Sequence, residues 1–472
     1  MSVGRTALTL APIAFLARGA AFFVPVAVAS WFGVTTETDA FYYALGIPSF
    51  LIVLASNAMA TVLVPTLAQL YASAPERMAR VAGAAALAAA CTAVAIGVLF
   101  TVCLPVVLPR LTHFDAATQG RTVRFAWSLL PFLAAVGASA VARASCEVQG
   151  RFVLSGISPL LRACTQLALT FSFLGIGTAI LPLGMSAGAL AETIWLVWVA
   201  SRGAGRLAFA WERSSELEAA AMAVLPVLLG EAMVALSVVV DKAFASLLDA
   251  GSVSLLEYAD RARLIPQTLL ETSLLVVAFN AWARARALGE DRAAAVAAAL
   301  RWVWLLAPPV LAGMFLARTA MIRLLFEHGA FDPAHTTICA DALGAFIPGL
   351  FASLLGAMQI RAHIVEARYR LILWLGAAAF ALNGGLDLLL LRFGIVGLAA
   401  ATSITAIVIT LASARRLGVG IPRDGAAIAL LSVGVASLPV RPESVMDPRL
   451  WALSLPCWAL LAVGARLARR NA

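Results

Sequence analysis

Residues 82–108, AGAAALAAACTAVAIGVLFTVCLPVVL, contain no charged side chain, and Arg80 and Arg110 flank them. A helix needs about 20 consecutive, mostly apolar residues to cross the hydrocarbon core of a bilayer. The segment exceeds that length, so it predicts a transmembrane helix. The fold class then depends on whether the rest of the chain repeats this pattern.

Runs of the same kind recur along the whole chain, and the length criterion finds fourteen of them. The first begins near Met1 without a signal-peptide cleavage site, so we expect it to be retained. The sequence therefore predicts an all-α polytopic membrane protein with 14 transmembrane helices. The predicted spans are 6–32, 41–70, 82–108, 123–144, 152–176, 179–200, 219–247, 255–282, 296–318, 338–360, 371–391, 394–414, 424–440 and 449–466.

The composition of the chain agrees with this fold class. Of the 472 residues, 62% are hydrophobic and 12% are charged, and the mean hydropathy is +0.94. A globular domain carries about a quarter charged residues. The sequence also shows no Ser-His-Asp arrangement, no phosphate-binding glycine loop and no His/Cys metal motif. We expect a transporter that is not an enzyme and that carries no organic cofactor.

The net charge of +9 reports on topology. The basic residues form no patch or stripe, which argues against a nucleic-acid partner. If both termini face the cytoplasm, 21 of the 34 basic residues lie on the inner side and eight on the outer side. Inner loops carry the excess of Lys and Arg in membrane proteins, so we predict a multi-pass protein of the cytoplasmic (inner) membrane with both termini inside. The other five basic residues lie in or near spans: Arg18, Arg162, Lys242, Arg261 and Arg263.

Four pairs of local matches, with a nearly constant separation along the chain, indicate an internal duplication. The second copy begins six spans after the first, and an even number of spans gives both copies the same orientation. We therefore predict two parallel six-helix repeats with the substrate path between them, followed by two extra helices. The predicted domains are 1–217, 218–418 and 419–472. The matched positions are Ile47-Pro48 with Ile265-Pro266, Phe114-Asp115 with Phe331-Asp332, Pro131 with Pro348, and Arg151-Phe152 with Arg368-Tyr369.

Five ionisable residues lie deep within predicted spans, where an ionised group needs a partner or water. Arg162 and Glu192 are explained at least as well by a structural ion pair inside the bundle. Arg18, Glu231 and Glu271 lie on spans 1, 7 and 8, which the duplication places around the central path. These three are candidate substrate-binding residues.

A mid-membrane arginine points to an anionic substrate, because its planar fork matches phosphate oxygens. An arginine beside carboxylates gives a switchable anion site, as an amphipathic lipid pyrophosphate would require. A drug or cation exporter would instead need an acidic pocket. Towards the outer side, Asp260 and Arg261 fit a cavity mouth, and Asp39 either caps span 2 or belongs to the same site.

A second polar group offers oxygen ligands. Asn383 and Asp387 are four residues apart on span 11 and share one helix face. With Thr402 on span 12 and Asp241 on span 7, they present the oxygens that a small cation prefers. An interfacial pair between Asp241 and Lys242 is the alternative interpretation.

Several short motifs together resemble the MurJ/MviN family of the multidrug/oligosaccharidyl-lipid/polysaccharide exporter superfamily. They extend over about 400 residues by eye. The first group comprises Thr38-Asp39-Ala40-Phe41, Ile47-Pro48 and Val64-Pro65. The others are Phe244-Ala245-Ser246, Gly251-Ser252-Val253-Ser254, Tyr258-Ala259-Asp260-Arg261 with Pro266, Leu325-Phe326-Glu327-His328-Gly329-Ala330-Phe331, Gly397-Leu398-Ala399 and Ala401-Thr402-Ser403.

The resemblance implies a flippase that carries undecaprenyl-pyrophosphate-linked precursor, lipid II, between leaflets by alternating access. It implies substrate-binding arginines at Arg18 and Arg261 and an outer acidic residue at Asp39. It also implies a sodium site formed by Asp241, Asn383, Asp387 and Thr402. Membrane lipids and cell-wall synthesis enzymes are the other partners expected on this basis.

The sequence departs from the family pattern inside the expected cavity. Three family arginines fall on Val24, Ile52 and Val53, and two acids fall on Pro25 and Asn57. This leaves another lipid-linked glycan open as the substrate. A cation-coupled exporter of drugs or metabolites, and an envelope scaffold without transport, are the alternative functions.

Overall fold

The computed structural model describes residues 3–58, 63–203, 205, 207, 209, 210, 214–267, 270, 292–366 and 368–437. All regular elements in these ranges are helices. The chain divides into two compact units, residues 1–254 and 255–472. The predicted lobe boundary near residue 217 derives from the sequence matches and stays a prediction.

The first unit contains ten complete helices within the described ranges. A 3-10 turn, Leu174–Ala179, joins α8 to α9. The helices are α1 (Val3–Phe32), α2 (Thr36–Ala44), α3 (Gly46–Ala58), α4 (Val64–Ser73), α5 (Pro75–Leu111), α6 (Ala116–Ser128), α7 (Leu130–Val148), α8 (Phe152–Ser172), α9 (Ile180–Ser201) and α10 (Ser215–Ala245).

The second unit continues from α11, which is helical over residues 252–267 and so begins just before the unit boundary. A 3-10 turn, Leu391–Phe393, joins α14 to α15. The remaining helices are α12 (Arg292–Phe326), α13 (Pro333–Val365), α14 (Tyr369–Leu390), α15 (Gly394–Leu417) and α16 (Arg423–Ala436).

Eight helical segments of the described chain are long and apolar enough to cross a membrane. The protein is therefore an all-helical, multi-pass membrane protein, as the composition predicts. The exact number of 14 spans stays a prediction. The eight segments are Thr36–Ala55, Pro75–Leu111, Ala116–Val148, Phe152–Ser172, Leu174–Ser201, Val296–Phe326, Pro333–Ile364 and Tyr369–Leu417.

Helix breaks divide some of the predicted runs. The run predicted over 41–70 contains three helices, because the chain leaves α2 at Leu45 and restarts as α3 at Gly46. The run predicted over 123–144 begins earlier, at Ala116, where the Asp115 side chain accepts a hydrogen bond from the Thr118 backbone N–H at 3.1 Å. Hydropathy registers length and apolarity, but it does not register these local breaks.

The interior of the first unit is built from small residues on α5, α7 and α9. Ala82, Ala86 and Ala142 are fully buried in its hydrophobic cluster, together with Leu196. Small side chains let helix backbones approach closely, which supplies packing energy where lipid offers no hydrophobic driving force. Gly137 is one such case, because a Cβ there would lie 2.7 Å from the backbone carbonyl of Ala89.

We call the sequence separation between Asp115 and Asp332 the repeat offset. At this separation, helix starts in the two units have the same capping and interhelical hydrogen bonds. Asp115 caps α6, and Asp332 caps α13 by accepting from the Ala334 N–H at 2.8 Å. Arg151 precedes α8 and donates to the Val199 carbonyl at 2.7 Å. Its counterpart, Arg368, precedes α14 and donates to the Arg416 carbonyl at 2.8 Å.

Interhelical hydrogen bonds recur at the same repeat offset. Thr193 Oγ1 donates to the Ala135 carbonyl, and Thr410 Oγ1 donates to the Ala352 carbonyl, both at 2.9 Å. The donor and the acceptor of each bond are thus displaced equally along the chain. The remaining equivalent pairs are Ser186 to the Ser128 carbonyl with Ser403 to the Ala345 carbonyl, and the left-handed glycines Gly177 (φ 66°) with Gly394 (φ 64°).

We expect Gly137→Ala to destabilise the protein by about 1–3 kcal/mol, because the added methyl group forces α5 and α7 apart. Thermal unfolding in detergent measures this as a lower melting temperature. Gly120→Ala is the matched control, since a Cβ at Gly120 on α6 meets no atom within 4 Å. Equal melting temperatures for the Gly137 variant and the wild type would contradict the close approach.

Candidate functional site

The start of α2 is capped by Thr35. The Thr35 hydroxyl accepts from the Thr38 N–H at 3.2 Å, and the Thr38 hydroxyl accepts from the Thr35 N–H at 2.9 Å. This reciprocal pair satisfies two backbone donors at the helix start. The interpretation of Asp39 as the cap of this helix is therefore wrong, because Thr35 occupies that position and Asp39 lies inside the first turns of α2.

The Asp39 carboxylate instead caps α11. Oδ2 accepts from the Gly251 N–H at 2.6 Å, and Oδ1 accepts from the Ser254 N–H and hydroxyl, each at 2.8 Å. Gly251 has a φ of 93°, a left-handed conformation that favours glycine. Asp39 is only 2% exposed, so its charge is stabilised by these donors and by the positive end of the α11 dipole.

Lys242, the only lysine of the chain, approaches the other end of α2. Its Nζ donates to the carbonyl of Tyr42 at 3.0 Å, and the side chain is 4% exposed. Because α2 ends at Ala44, carbonyls of its last turn need donors from elsewhere, and a cation suits the negative end of a helix. Lys242 and Asp39 thus fix the two ends of one short helix against α10 and the start of α11.

The charged residues at the start of α11 form two pairs along that helix. Arg261 contacts Glu257 Oε1 through Nη2 at 2.6 Å and through Nε at 2.8 Å. Arg263 pairs with Asp260, with Nε at 2.9 Å from Oδ1, and its guanidinium lies 5.1 Å from the centre of the Phe346 ring. Glu257 is buried, whereas the Arg261 side chain is 37% exposed. The Arg261 guanidinium is therefore partly exposed at the surface of its unit, while its ion-pair partner Glu257 is buried.

The other predicted substrate-binding residues are placed less completely. Arg18 lies on α1, and its side chain is outside the described part of the chain. Glu231 lies on α10 with a half-buried side chain. Glu271 is outside the described residues.

The predicted cation ligands on α14 lie side by side. Asn383 Nδ2 donates to Asp387 Oδ2 at 2.9 Å, and both side chains are buried. Thr402 on α15 donates to the Leu398 carbonyl of its own helix at 3.2 Å. Asp241 lies near the end of α10 in the first unit. Among the described residues, no group of three His, Cys, Asp or Glu side chains is arranged to hold a metal ion.

Sequence reasoning missed the partners that matter most in this arrangement. Gly251 and Ser254 act through backbone N–H groups far along the chain from Asp39, and no local pattern indicates that contact. The ion pair of Arg143 in α7 with Glu192, at 2.5 Å, is also absent from the sequence prediction, although Arg143 lies one residue before the end of the predicted span 123–144.

We expect Asp39→Ala to lower the melting temperature more than Asp332→Ala does. The first change leaves three donors at the start of α11 without a buried, charged acceptor, and hydrogen bonds to charged groups contribute about 1.5–3 kcal/mol each. The second removes one exposed cap, which typically contributes about 1 kcal/mol. Asp39→Asn should fall between them, because it keeps one acceptor oxygen. Equal losses for the two alanine variants would contradict the role of Asp39.

Comparison with known proteins places the chain in a family. The family model "Lipid II flippase MurJ" matches residues 28–440. A probable lipid II flippase MurJ of Rhizobium meliloti is 27% identical over 261 residues, 50% of this chain and 48% of that protein. Its counterpart in Vibrio cholerae is 24% identical over 410 residues, 81% of this chain and 76% of that protein.

Solved structures show the same fold. "Lipid II flippase MurJ, inward closed conformation" superimposes with a TM-score of 0.82 at 19% identity and covers 98% of this chain and 99% of that one. The alignment with the Rhizobium meliloti protein spans about half of that relative, whereas the family model extends over most of this chain. The chain belongs to the lipid II flippase MurJ family.

Proposed function

We propose that the protein translocates lipid II, an undecaprenyl-pyrophosphate-linked cell-wall precursor, across the inner membrane by alternating access. The observation that carries the proposal is the MurJ family model, which matches residues 28–440. The family model does not support a cation-coupled exporter of drugs or metabolites, or a scaffold without transport, better than this function. Cell-wall synthesis enzymes and membrane lipids are the partners that this function would involve.

Guanidinium groups would bind the pyrophosphate of the substrate. Arg261 is held by two contacts to buried Glu257 while more than a third of its side chain is exposed. A planar guanidinium pairs with phosphate oxygens through parallel N–H donors. Arg18, on α1, is the second arginine that we assign to substrate binding. Asp260, Glu231 and Glu271 would adjust the local charge around these cations as the substrate enters and leaves.

Asp39 supplies a contact that alternating access can make and break. Its three bonds to the start of α11 join α2 to that helix through one carboxylate. Water can replace these donors when the helices separate, whereas a hydrophobic seam would have to expose apolar surface. A carboxylate bound by backbone N–H groups therefore suits a contact that closes one side of the transport path in one conformational state and breaks in the other.

We also propose that the chain consists of two parallel six-helix repeats, residues 1–217 and 218–418, followed by two extra helices in residues 419–472. The hydrogen bonds and helix caps that recur at the repeat offset support this division. The inner-loop excess of arginine supports an orientation with both termini in the cytoplasm.

A sodium ion is the coupling ion that fits the polar side chains of α14 and α15. Asp387 and Asn383 are adjacent and buried, and with Thr402 they provide carboxylate, amide and hydroxyl oxygens. Hard cations prefer oxygen ligands of these three kinds. We assign Asp241 as the fourth ligand on the basis of the family resemblance. Bound sodium would neutralise the Asp387 charge within the membrane.

We expect Arg18→Ala and Arg261→Ala each to abolish growth rescue in cells depleted of their own lipid II flippase, at unchanged protein level. We expect this loss because each variant removes a guanidinium group that would bind the phosphate oxygens of the substrate. Arg110→Ala is the control, since Arg110 is an exposed residue that donates to the Val106 carbonyl of its own helix.

Full rescue by both alanine variants would contradict the substrate site. If growth rescue required Glu231 or Glu271 but not Arg18, the cation-coupled exporter would be favoured. Rescue by all of these variants, with failure when loops 201–218 or 284–295 are replaced, would favour the scaffold.

We expect sodium to raise the melting temperature of the wild type relative to potassium at equal ionic strength, because a ligand that binds only the folded state stabilises it. A sodium concentration of about ten times Kd gives about 1.4 kcal/mol. Asp387→Asn and Thr402→Val should abolish or reduce this difference, whereas Asp332→Asn, at an exposed cap, should retain it. Equal stabilisation of the wild type by the two cations would exclude the sodium site.

A further inference from the structure

Three charged side chains converge within the first unit, away from the residues assigned above. Glu192 of α9 lies between Arg143 of α7 and Arg162 of α8. All three helices belong to segments apolar enough to span a membrane. Arg162 is the eleventh of the 21 residues of α8, so about 15 Å of helix separates it from either end. Arg162 and Glu192 therefore lie near the middle of their helices, whereas Arg143 lies five residues before the end of α7.

Arg143 and Ser158 satisfy one oxygen of Glu192, Oε1. Arg143 Nη2 lies 2.5 Å from Glu192 Oε1, and the Ser158 hydroxyl donates to the same oxygen at 3.1 Å. Arg143 also donates to Ser158 Oγ at 2.8 Å and to the Ser155 carbonyl at 3.1 Å. Glu192 is 3% exposed. These bonds place one full positive charge on the carboxylate through Oε1, and Oε2 faces Arg162.

Arg162 is the additional cation. Its Nη1 lies 3.4 Å from Glu192 Oε2, a longer contact than that of Arg143, and its guanidinium lies 5.5 Å from the centre of the Phe132 ring. Its side chain is 30% exposed. Within the described residues, no other acidic side chain forms an ion pair with Arg143 or Arg162. Two arginines thus share one carboxylate at mid-depth, and an excess positive charge there is costly unless an anion or water stabilises it.

The backbone fixes Arg162 in this place. A Cβ at Gly188 would lie 2.5 Å from the Arg162 carbonyl, so only glycine lets α9 approach α8 this closely. Gly188 lies one turn before Glu192 on α9, and the close approach therefore sets Arg162 beside the carboxylate. The position of the guanidinium is determined by helix packing and does not depend on a mobile loop.

The fold does not require these charges. The positions one repeat offset later are Ile360, Ala379 and Ile409, on the helices α13, α14 and α15. The Thr and Ser interhelical hydrogen bonds of α9 recur on α15, without a charged cluster at these positions. The corresponding helices pack against one another without charged side chains at these positions. The charges of the cluster therefore indicate a ligand.

We propose that Arg162 is a further binding residue for the pyrophosphate of the lipid substrate, and that it engages this group while the lipid is between leaflets. The inference rests on the proposed function. The hydrocarbon core is about 30 Å thick, so phosphates of resident phospholipids lie at its edges, whereas a transported pyrophosphate passes the middle. Its oxygens accept the guanidinium donors that Glu192 leaves unused, while Arg143 keeps Glu192 neutralised.

The test compares Arg162→Gln with Arg162→Lys, with Arg124→Gln as the matched control because Arg124 is exposed on α6. Purified full-length variants are titrated with undecaprenyl pyrophosphate and, separately, with phosphatidylglycerol, and bound lipid is counted by native mass spectrometry. Melting temperatures and growth rescue are measured in parallel. Arg162→Gln leaves the Arg143 and Ser158 bonds to Glu192 Oε1 in place, and its amide N–H is a donor for Oε2, so it should melt close to the wild type.

We expect Arg162→Gln to bind undecaprenyl pyrophosphate about tenfold more weakly, equivalent to about 1.4 kcal/mol. Arg162→Lys should lose less, since it keeps the charge but not the fork. Phosphatidylglycerol binding and the Arg124 control should be unchanged. Unchanged pyrophosphate binding by Arg162→Gln, or a loss confined to phosphatidylglycerol, overturns the assignment while leaving the proposed function intact. A wild type that neither binds undecaprenyl pyrophosphate nor rescues growth overturns both.

Discussion

The hydrocarbon core offers no hydrogen-bond partners, and this constraint governs the structure. Backbone N–H and C=O groups must be paired within the protein, so spanning segments are helical. The same demand falls on the helix ends that lie inside the bundle. Asp39 meets it at the start of α11, and Lys242 meets it at the end of α2. Charged side chains therefore appear where a helix stops short, and they bring with them the chemistry that a transporter can use.

The polar contacts at the two ends of α2 are specific, because each joins a defined donor to a defined acceptor. The buried Asp39 carboxylate accepts three hydrogen bonds from the start of α11. Breaking them would leave a buried charge without donors unless water replaced them, so they hold α11 in place. Small residues such as Ala82, Ala142 and Gly137 let α5, α7 and α9 pack closely. Between α7 and α9 this packing also contains polar contacts, from Thr193 to the Ala135 carbonyl and between Arg143 and Glu192. Close packing and polar pairing therefore occur together in the first unit.

The sequence predicts the helical membrane class well because apolar length is a local property. Residues 82–108 lie within one helix, Pro75–Leu111, as their composition indicates. The site is less predictable, because its contacts join distant positions. Asn383 and Asp387 were recognisable together since four residues separate them on one helix. Nothing near residue 39 indicates that its carboxylate contacts Gly251. The contact between Arg143 and Glu192 likewise depends on how α7, α8 and α9 pack against one another.

Contacts at the repeat offset are of two kinds, interhelical hydrogen bonds that recur and polar centres that do not. Interhelical bonds from Thr193 and Thr410 are the same in both halves, so they belong to the common architecture. Polar centres differ: Asn383 and Asp387 correspond to Gln166 and Thr170, and the arginines and glutamate of α7, α8 and α9 correspond to apolar residues. The chain thus keeps its packing bonds at the repeat offset, but it places two arginines and a glutamate on α7, α8 and α9 and a carboxylate–amide pair on α14. The proposed pyrophosphate-binding Arg162 and the proposed sodium ligands Asn383 and Asp387 would therefore lie on corresponding helices, α8 and α14, without competing for one position.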